Sequence, residues 1–211
     1  MIKTDLIIND IYNSNCYVIQ DQKNNKCIVI DPGSRDISNI ITLFDSEKLD
    51  LDYLILTHSH FDHISGVAPL IEQKKAIIIS SALCSEKIVD PVRNLSYFTD
   101  LGIIVSPKAD MFIEDLPDGK INWNNNEIIF FSSPGHSRCS ICIQIENKLF
   151  TGDTILRGIK TKITQPDGNR KELELTLKHI YETLPGNTIV YPGHGESFIL
   201  NSQEISISLN K

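Results

Sequence analysis

Four metal-ligating side chains, His58, His60, Asp62 and His63, fall within the run Thr57-His58-Ser59-His60-Phe61-Asp62-His63. Imidazole nitrogen and carboxylate oxygen are, with thiolate, the usual ligands of zinc. Residues two apart in an extended segment point the same way, so His58 and His60 face one position. Asp62 and His63 come after the chain has turned and face a neighbouring one. Two cations held side by side, roughly 3.5–4 Å apart, make a hydrolytic arrangement. Three groups farther along extend the set. His136 and His194 each follow Pro-Gly, and Asp153 stands in Thr151-Gly152-Asp153-Thr154. Of the six histidines only His179 stands outside; it lies off the apolar stripe of its expected helix and reads as solvent-exposed and inert.

The elements that would position these groups share one feature. A strand-like apolar run ends and a polar cluster follows at once. The four cases are Leu54-Ile55-Leu56 before Thr57-His58, Ile128–Phe131 before Pro134-Gly135-His136, Leu149-Phe150 before Thr151-Gly152-Asp153, and Ile189-Val190-Tyr191 before Pro192-Gly193-His194. Strand ends are rigid platforms, and loops at one sheet edge can converge on one point.

Around these clusters strands and helices alternate. Strands are expected over Lys3–Ile8, Cys16–Gln20 and Cys27–Ile30, with a hairpin turn at Asp21–Asn25. Helical spacing of Ile37, Ile40, Ile41 and Phe44 predicts a helix over Arg35–Glu47. A strand at Tyr53–Leu56 leads to a helix running to about Gln73, in which Pro69 must sit in the first turns or form a kink. Ile77–Ser80 is a strand, and Ser81–Thr99 is helical in part. Four strands are expected across Met111–Thr151, with turns at Pro117-Asp118-Gly119 and Asn124–Asn126. A helix over Lys171–Leu184 precedes a strand at Thr188–Tyr191. Ser202–Leu209 is compatible with a short helix or a strand.

The chain has 211 residues, 41% hydrophobic and 22% charged, which suits one domain over residues 1–211 with a sizeable core. A net charge of −7 argues against general nucleic-acid binding, which needs surplus Lys and Arg. No apolar run is long enough to cross a bilayer, and the N-terminus lacks a signal-peptide pattern, so no membrane partner is expected. Five cysteines, an odd number, read as reduced thiols of a cytoplasmic protein.

The motif His-x-His-x-Asp-His, the later Pro-Gly-His, the Thr-Gly-Asp-Thr and the final Pro-Gly-His-Gly together resemble the metallo-β-lactamase fold over nearly the whole chain. Asn15-Cys16-Tyr17, Asp31-Pro32-Gly33 and Asn94-Leu95-Ser96 are similar to segments of its glyoxalase II (hydroxyacylglutathione hydrolase) branch. The resemblance implies an α/β architecture, an αββα sandwich of two mixed β-sheets flanked by helices. It implies one metal on His58, His60 and His136, a second on Asp62, His63 and His194, and Asp153 bridging both. The implied cofactors are two Zn2+, with iron or manganese as alternatives in one or both sites. The implied reaction is attack of a metal-bridging hydroxide, oriented by Asp62, on a thioester or related acyl bond of a small-molecule substrate. Aspartate rather than thiol at position 153 favours the glyoxalase-like branch over one class of true β-lactamase. Only 17 residues follow His194, a short form without the C-terminal extension that full-length glyoxalase II uses for glutathione. The same resemblance leaves two alternatives open: a mononuclear iron persulfide dioxygenase, and a lactonase or other ester or amide hydrolase. tRNA 3′ nucleases share the fold, but the acidic balance disfavours that reading.

Other residues are less specific. Asp31, ending a strand at Asp-Pro-Gly, is a candidate acceptor for the N–H of a ligand imidazole, or a plain turn residue. Cys139 and Cys142 form Cys-x-x-Cys without a second pair to complete a zinc site; Cys142 reads as core, and Cys139 lies close enough to His136 to touch substrate. Trp123 is expected to anchor a turn. Arg157, Lys160, Lys162, Arg170 and Lys171 crowd a segment holding one acid, Asp167, directly after Asp153. A charge run is usually a solvated loop, yet here Arg157 and Lys160 are candidates to receive an anionic substrate.

Overall fold

The computed structural model describes residues 2–209. They divide into two compact units, one ending at Phe112 and one beginning at Ile113. Each carries a six-stranded mixed sheet.

The first unit opens with β1 (Ile2–Ile8), β2 (Asn15–Asp21) and β3 (Lys26–Ile30), paired antiparallel in chain order. Every residue of β2 is buried, which suits its place inside the sheet. Then α1 (Ser38–Glu47) buries Ile40 and Phe44. It starts three residues later than its periodicity suggests, because the Asp36 carboxylate accepts the Ser38 N–H at 2.9 Å and holds 36–38 in a turn. From there the sheet grows by parallel addition of β4 (Asp50–Ile55), β5 (Ile77–Ser80) and β6 (Met111–Phe112).

The single helix expected after β4 is two: α2 (Phe61–Ile64) and α3 (Val67–Gln73). The break falls at Gly66, whose N–H donates to the Pro32 carbonyl at 2.7 Å. A Cβ there would stand 2.5 Å from the Ser34 carbonyl oxygen, so only glycine lets the chain pass so close. Pro69 is the third residue of α3, in the first turn, where no intrahelical N–H is needed. Past β5 lies α4 (Ala82–Lys87), capped by Ser81, whose hydroxyl accepts the Cys84 N–H.

The second unit pairs β7 (Lys120–Trp123), β8 (Asn126–Ser132), β9 (Ile141–Ile145) and β10 (Lys148–Gly152) antiparallel. The stretch Met111–Thr151 thus holds five strands rather than four, since β6 belongs to the other sheet. Asn124 and Asn125 close the β7–β8 hairpin with φ of 49° and 66°, the positive pair a two-residue turn needs. Trp123 is buried where that turn begins. Next, α5 (Arg170–Thr183) is capped by Asn169, whose side chain accepts from the Lys171 and Glu172 N–H groups. Its Leu173, Leu177 and Ile180 pack with Cys142, Leu149 and Val190 in one core cluster. The chain then returns as β11 (Ile189–Pro192), parallel to β10, followed by β12 (Phe198–Ile199) and α6 (Ser202–Leu209). The ambiguous tail is therefore helix.

Among the described residues no helix is long and apolar enough to cross a membrane. All five cysteines are buried, and none is in a disulfide. Cys142 lies in the core, and burial pushes its thiol up to about 11.

Candidate metal centre

In the first unit β4 stops at Ile55, and the chain runs extended through Thr57-His58-Ser59-His60 before α2 begins. That segment is buried, unusual for so polar a run, and its hydrogen bonds explain how. The Asp31 carboxylate accepts three of them: from the Thr57 N–H at 2.8 Å, the Thr57 hydroxyl at 2.5 Å and His63 Nδ1 at 2.9 Å. Thr57 Oγ1 also stands 3.0 Å from His58 Nδ1. The single hydroxyl proton of Thr57 goes to the carboxylate, so Thr57 accepts from His58, and His58 carries its proton on Nδ1. His63 carries its proton on Nδ1 for the same reason. Both rings therefore turn an Nε2 lone pair away from their support, as metal-binding imidazoles do.

His58 Nε2 and His60 Nδ1 are 3.1 Å apart. Two nitrogens bound tetrahedrally to one ion, each about 2.0–2.1 Å from it, stand about 3.3–3.4 Å apart, so this spacing suits ligands of one cation. Asp62 Oδ2 lies 3.8 Å from His63 Nε2. Ligand atoms of Asp31, His58 and His63 also fall within 4.8 Å of one another. Asp31, however, spends its oxygens on three donors, and it orients the imidazoles rather than competing for a cation.

In the second unit His136, Asp153 and His194 lie together. Asp153 Oδ2 lies 3.7 Å from His136 Nε2 and 3.6 Å from His194 Nε2, so one carboxylate stands between two imidazoles. The two turns that carry Asp153 and His194 are fastened together, because β10 and β11 run parallel and the Gly193 N–H donates to the Gly152 carbonyl at 2.7 Å. His136 Nδ1 donates to the Lys162 carbonyl at 2.7 Å, which again turns the Nε2 lone pair away from the supporting backbone. Gly135 ahead of it has φ of 145°, and a Cβ would stand 2.5 Å from the Leu173 Cα, so the chain presses against α5 at a point no side chain fits. The donor set in both units, imidazole and carboxylate with no lysine or arginine in it, fits divalent cations of the zinc, iron and manganese range.

The remaining candidates fall at the margins. Cys139 precedes β9 rather than lying in it; it is buried, with its sulfur 3.3 Å from the Ser137 hydroxyl. Arg157 and Lys160 are exposed, and Arg157 forms an ion pair with Glu196. His179 is exposed, against Phe131. Sequence reasoning missed four supports. Thr57 was visible as a hydroxyl beside His58. The Ser14 hydroxyl holds the Asp62 carbonyl at 2.5 Å, and the Asn9 side chain in turn donates to Ser14 at 2.9 Å. The Lys162 carbonyl left no signal, because every residue has one.

The Thr57 hydroxyl supports His58 without belonging to the donor set. Thr57→Val is expected to weaken metal retention by about tenfold or more, and Thr57→Ser by far less. Competition against a coloured chelator measures this; equal retention in the valine variant would remove Thr57 from the scheme.

The sequence model of the metallo-beta-lactamase superfamily matches residues 9–194. The hydroxyacylglutathione hydrolase of Psychromonas ingrahamii is 28% identical over 178 residues, which is 84% of this chain and 60% of that enzyme. This chain thus spans less than two thirds of that relative's length. A probable metallo-hydrolase of Methanocaldococcus jannaschii is 33% identical over 192 residues, 88% of this chain and 89% of its own. The crystal structure of the BLEG-1 B3 metallo-beta-lactamase matches in fold, with a TM-score of 0.86 at 24% identity, over 93% of this chain and 94% of that one.

Proposed function

This chain belongs to the metallo-beta-lactamase superfamily, and from that premise we propose that it is a dinuclear, zinc-dependent hydrolase of thioesters or related acyl bonds, similar to glyoxalase II. In this reading residues 1–211 act as one catalytic domain in the cytoplasm. One cation would be held by His58, His60 and His136, the other by Asp62, His63 and His194, with Asp153 shared. The observation that carries the proposal is the place of Asp153, one carboxylate oxygen 3.6–3.7 Å from the Nε2 atoms of two separate imidazoles. Each spacing is close to that of two ligands on one ion, which supports a carboxylate shared between two neighbouring cations.

Divalent ions bound there supply Lewis acidity to an acyl carbonyl and make water acidic enough to ionise near neutral pH. The chain's own residues do the rest. Asp31 and Thr57 keep the protons of His63 and His58 on Nδ1, so the Nε2 lone pairs stay directed outward from the support. Asp62 is the second residue of α2, and its carbonyl is fastened by the Ser14 hydroxyl; from that anchored position its carboxylate would orient the attacking water. Cys139, next to the His136 turn, borders the acyl group, and Arg157 and Lys160 receive an anionic part of the substrate.

The test pairs metal quantitation with a panel of thioester, lactone and β-lactam substrates. About two zinc ions per chain, removed by chelator together with thioesterase turnover and restored together, is the expected result. One iron per chain with oxygen uptake and no hydrolysis would replace the proposal by the dioxygenase alternative.

A further inference from the structure

Directly after Asp153 the chain folds back in a four-residue turn, Leu156 bridging antiparallel to Ile159, with Arg157 at its tip. Gly158 completes the turn at φ of 64°, a conformation that favours glycine. The turn is fastened from several sides. The Gly158 N–H donates to Glu204 of α6 at 2.7 Å, Thr161 donates from its hydroxyl to the Thr154 carbonyl at 2.8 Å, and its N–H donates to the Ser208 carbonyl at 3.2 Å. Arg157 is thus presented from an anchored tip on the segment that begins at Asp153, with Lys160 and Lys162 exposed beside it.

The partner of that guanidinium is Glu196, two residues past His194. The turns bearing Asp153 and His194 are joined through Gly193 and Gly152, so the pair links the segment that follows Asp153 to the one that follows His194. Arg157 is 50% and Glu196 83% exposed in their side chains, so water reaches both and the pair contributes little to stability. A planar guanidinium takes carboxylates bidentately, and a solvent-exposed, weakly held carboxylate partner can be exchanged for another at little cost.

We propose that Glu196 is an internal stand-in for a substrate carboxylate: it occupies Arg157 until an acyl substrate carrying a second, anionic carboxylate displaces it. This inference rests on the hydrolase reading above, whose substrate class it narrows to acyl thioesters or esters bearing a free carboxylate. Glu196 then sets specificity by competition, not by catalysis.

The experiment uses the zinc-loaded full chain and two thioesters of one neutral thiol, S-succinyl and S-propionyl. Glu196→Gln is expected to lower KM for the succinyl ester by about two- to fivefold, the range of an exposed ion pair, and to leave the propionyl ester unchanged. Arg157→Gln raises KM for the succinyl ester more than for the propionyl ester, and the double variant behaves as Arg157→Gln. The preference fades at high salt. Calorimetric binding of succinate gives a second readout independent of turnover, tighter in Glu196→Gln and weaker in Arg157→Gln. If neither thioester is hydrolysed by the wild-type protein, the hydrolase reading fails while the succinate comparison still decides this one. Unchanged succinate affinity in Glu196→Gln, or an equal KM change for both esters, overturns the inference.

Discussion

Replacing Asp153 by alanine is expected to lower turnover by on the order of a thousandfold or more and to strip metal from the protein, with the fold intact. The size follows from position. A ligand confined to one site removes a third or a quarter of that ion's coordination. Asp153 Oδ2 stands at ligand spacing from both His136 Nε2 and His194 Nε2, so under the dinuclear proposal its loss would be felt at two ions. Two imidazoles left without a carboxylate between them also lose the anion that offsets the repulsion of neighbouring cations. Stability is expected to change little in the metal-free state, because Asp153 is half-buried at a strand end and the turn around it is held by other groups. Those are the Thr154 N–H on the Thr151 carbonyl, the Thr151 hydroxyl on the Ile155 carbonyl, and Gly193 on Gly152. The check is metal content by elemental analysis, turnover at saturating metal, and the melting temperature of chelated protein. Two tightly held ions in Asp153→Ala would refute a shared carboxylate.

Asp153→Asn separates the two halves of that expectation. Asparagine keeps the volume and one oxygen ligand but loses the charge, so it should retain part of the metal while turnover stays depressed. An exposed neighbour such as Glu196, on the other side of His194, should leave metal content untouched.

The candidate ligand positions and most of the elements were legible in the sequence for a specific reason. Imidazole is rare, and residues two apart in an extended segment declare a shared face; likewise, apolar runs ending in Pro-Gly or Thr-Gly declare a strand stopping at a cluster. Periodicity placed α5 to within a residue at each end, since Leu173, Leu177 and Ile180 must share a buried face. It failed where a local polar contact overrides pattern. Asp36 delays α1 by three residues, and the close passage of Gly66 beneath Pro32 and Ser34 splits one expected helix into α2 and α3. It failed also where the partner is backbone. The carbonyl of Lys162 fixes His136 from 26 positions away, and the carbonyl of Asp62 accepts from Ser14, 48 positions away. Neither acceptor has a residue type that could advertise it. Arg157 read as one member of a basic run, and its pairing with Glu196 depends on β10 and β11 lying side by side, which no local pattern states.

Gly33→Ala is the second large expected effect, and it comes from a residue without a side chain. A Cβ at position 33 would lie 1.8 Å from the Asp62 carbonyl oxygen, 2.8 Å from its carbon and 2.7 Å from Asn9 Nδ2. The first two are backbone atoms and cannot rotate aside, so a whole segment has to move. The flanking chain is not free to give. Ser34 receives Asp10 N–H on its hydroxyl at 2.8 Å and donates its own N–H to Asn9 at 3.1 Å, while Pro32 accepts from Gly66. The strain is therefore expected to fall on α2, shifting Asp62 and His63 together and pulling the Asp62 carbonyl off Ser14. A cost of about 3 kcal/mol follows for such overpacking, which in a chain of this length lowers Tm by roughly 6–12 °C. Metal retention should fall with it, though no ligand has been touched. Gly186→Ala, with nothing within 4 Å of the added carbon, is the control and should melt within a degree or two of the wild type. Thermal denaturation of both variants with and without chelator gives the comparison. If Gly33→Ala keeps its melting temperature and its metal, the close approach of position 33 to the Asp62 backbone does not hold the ligand loop in place.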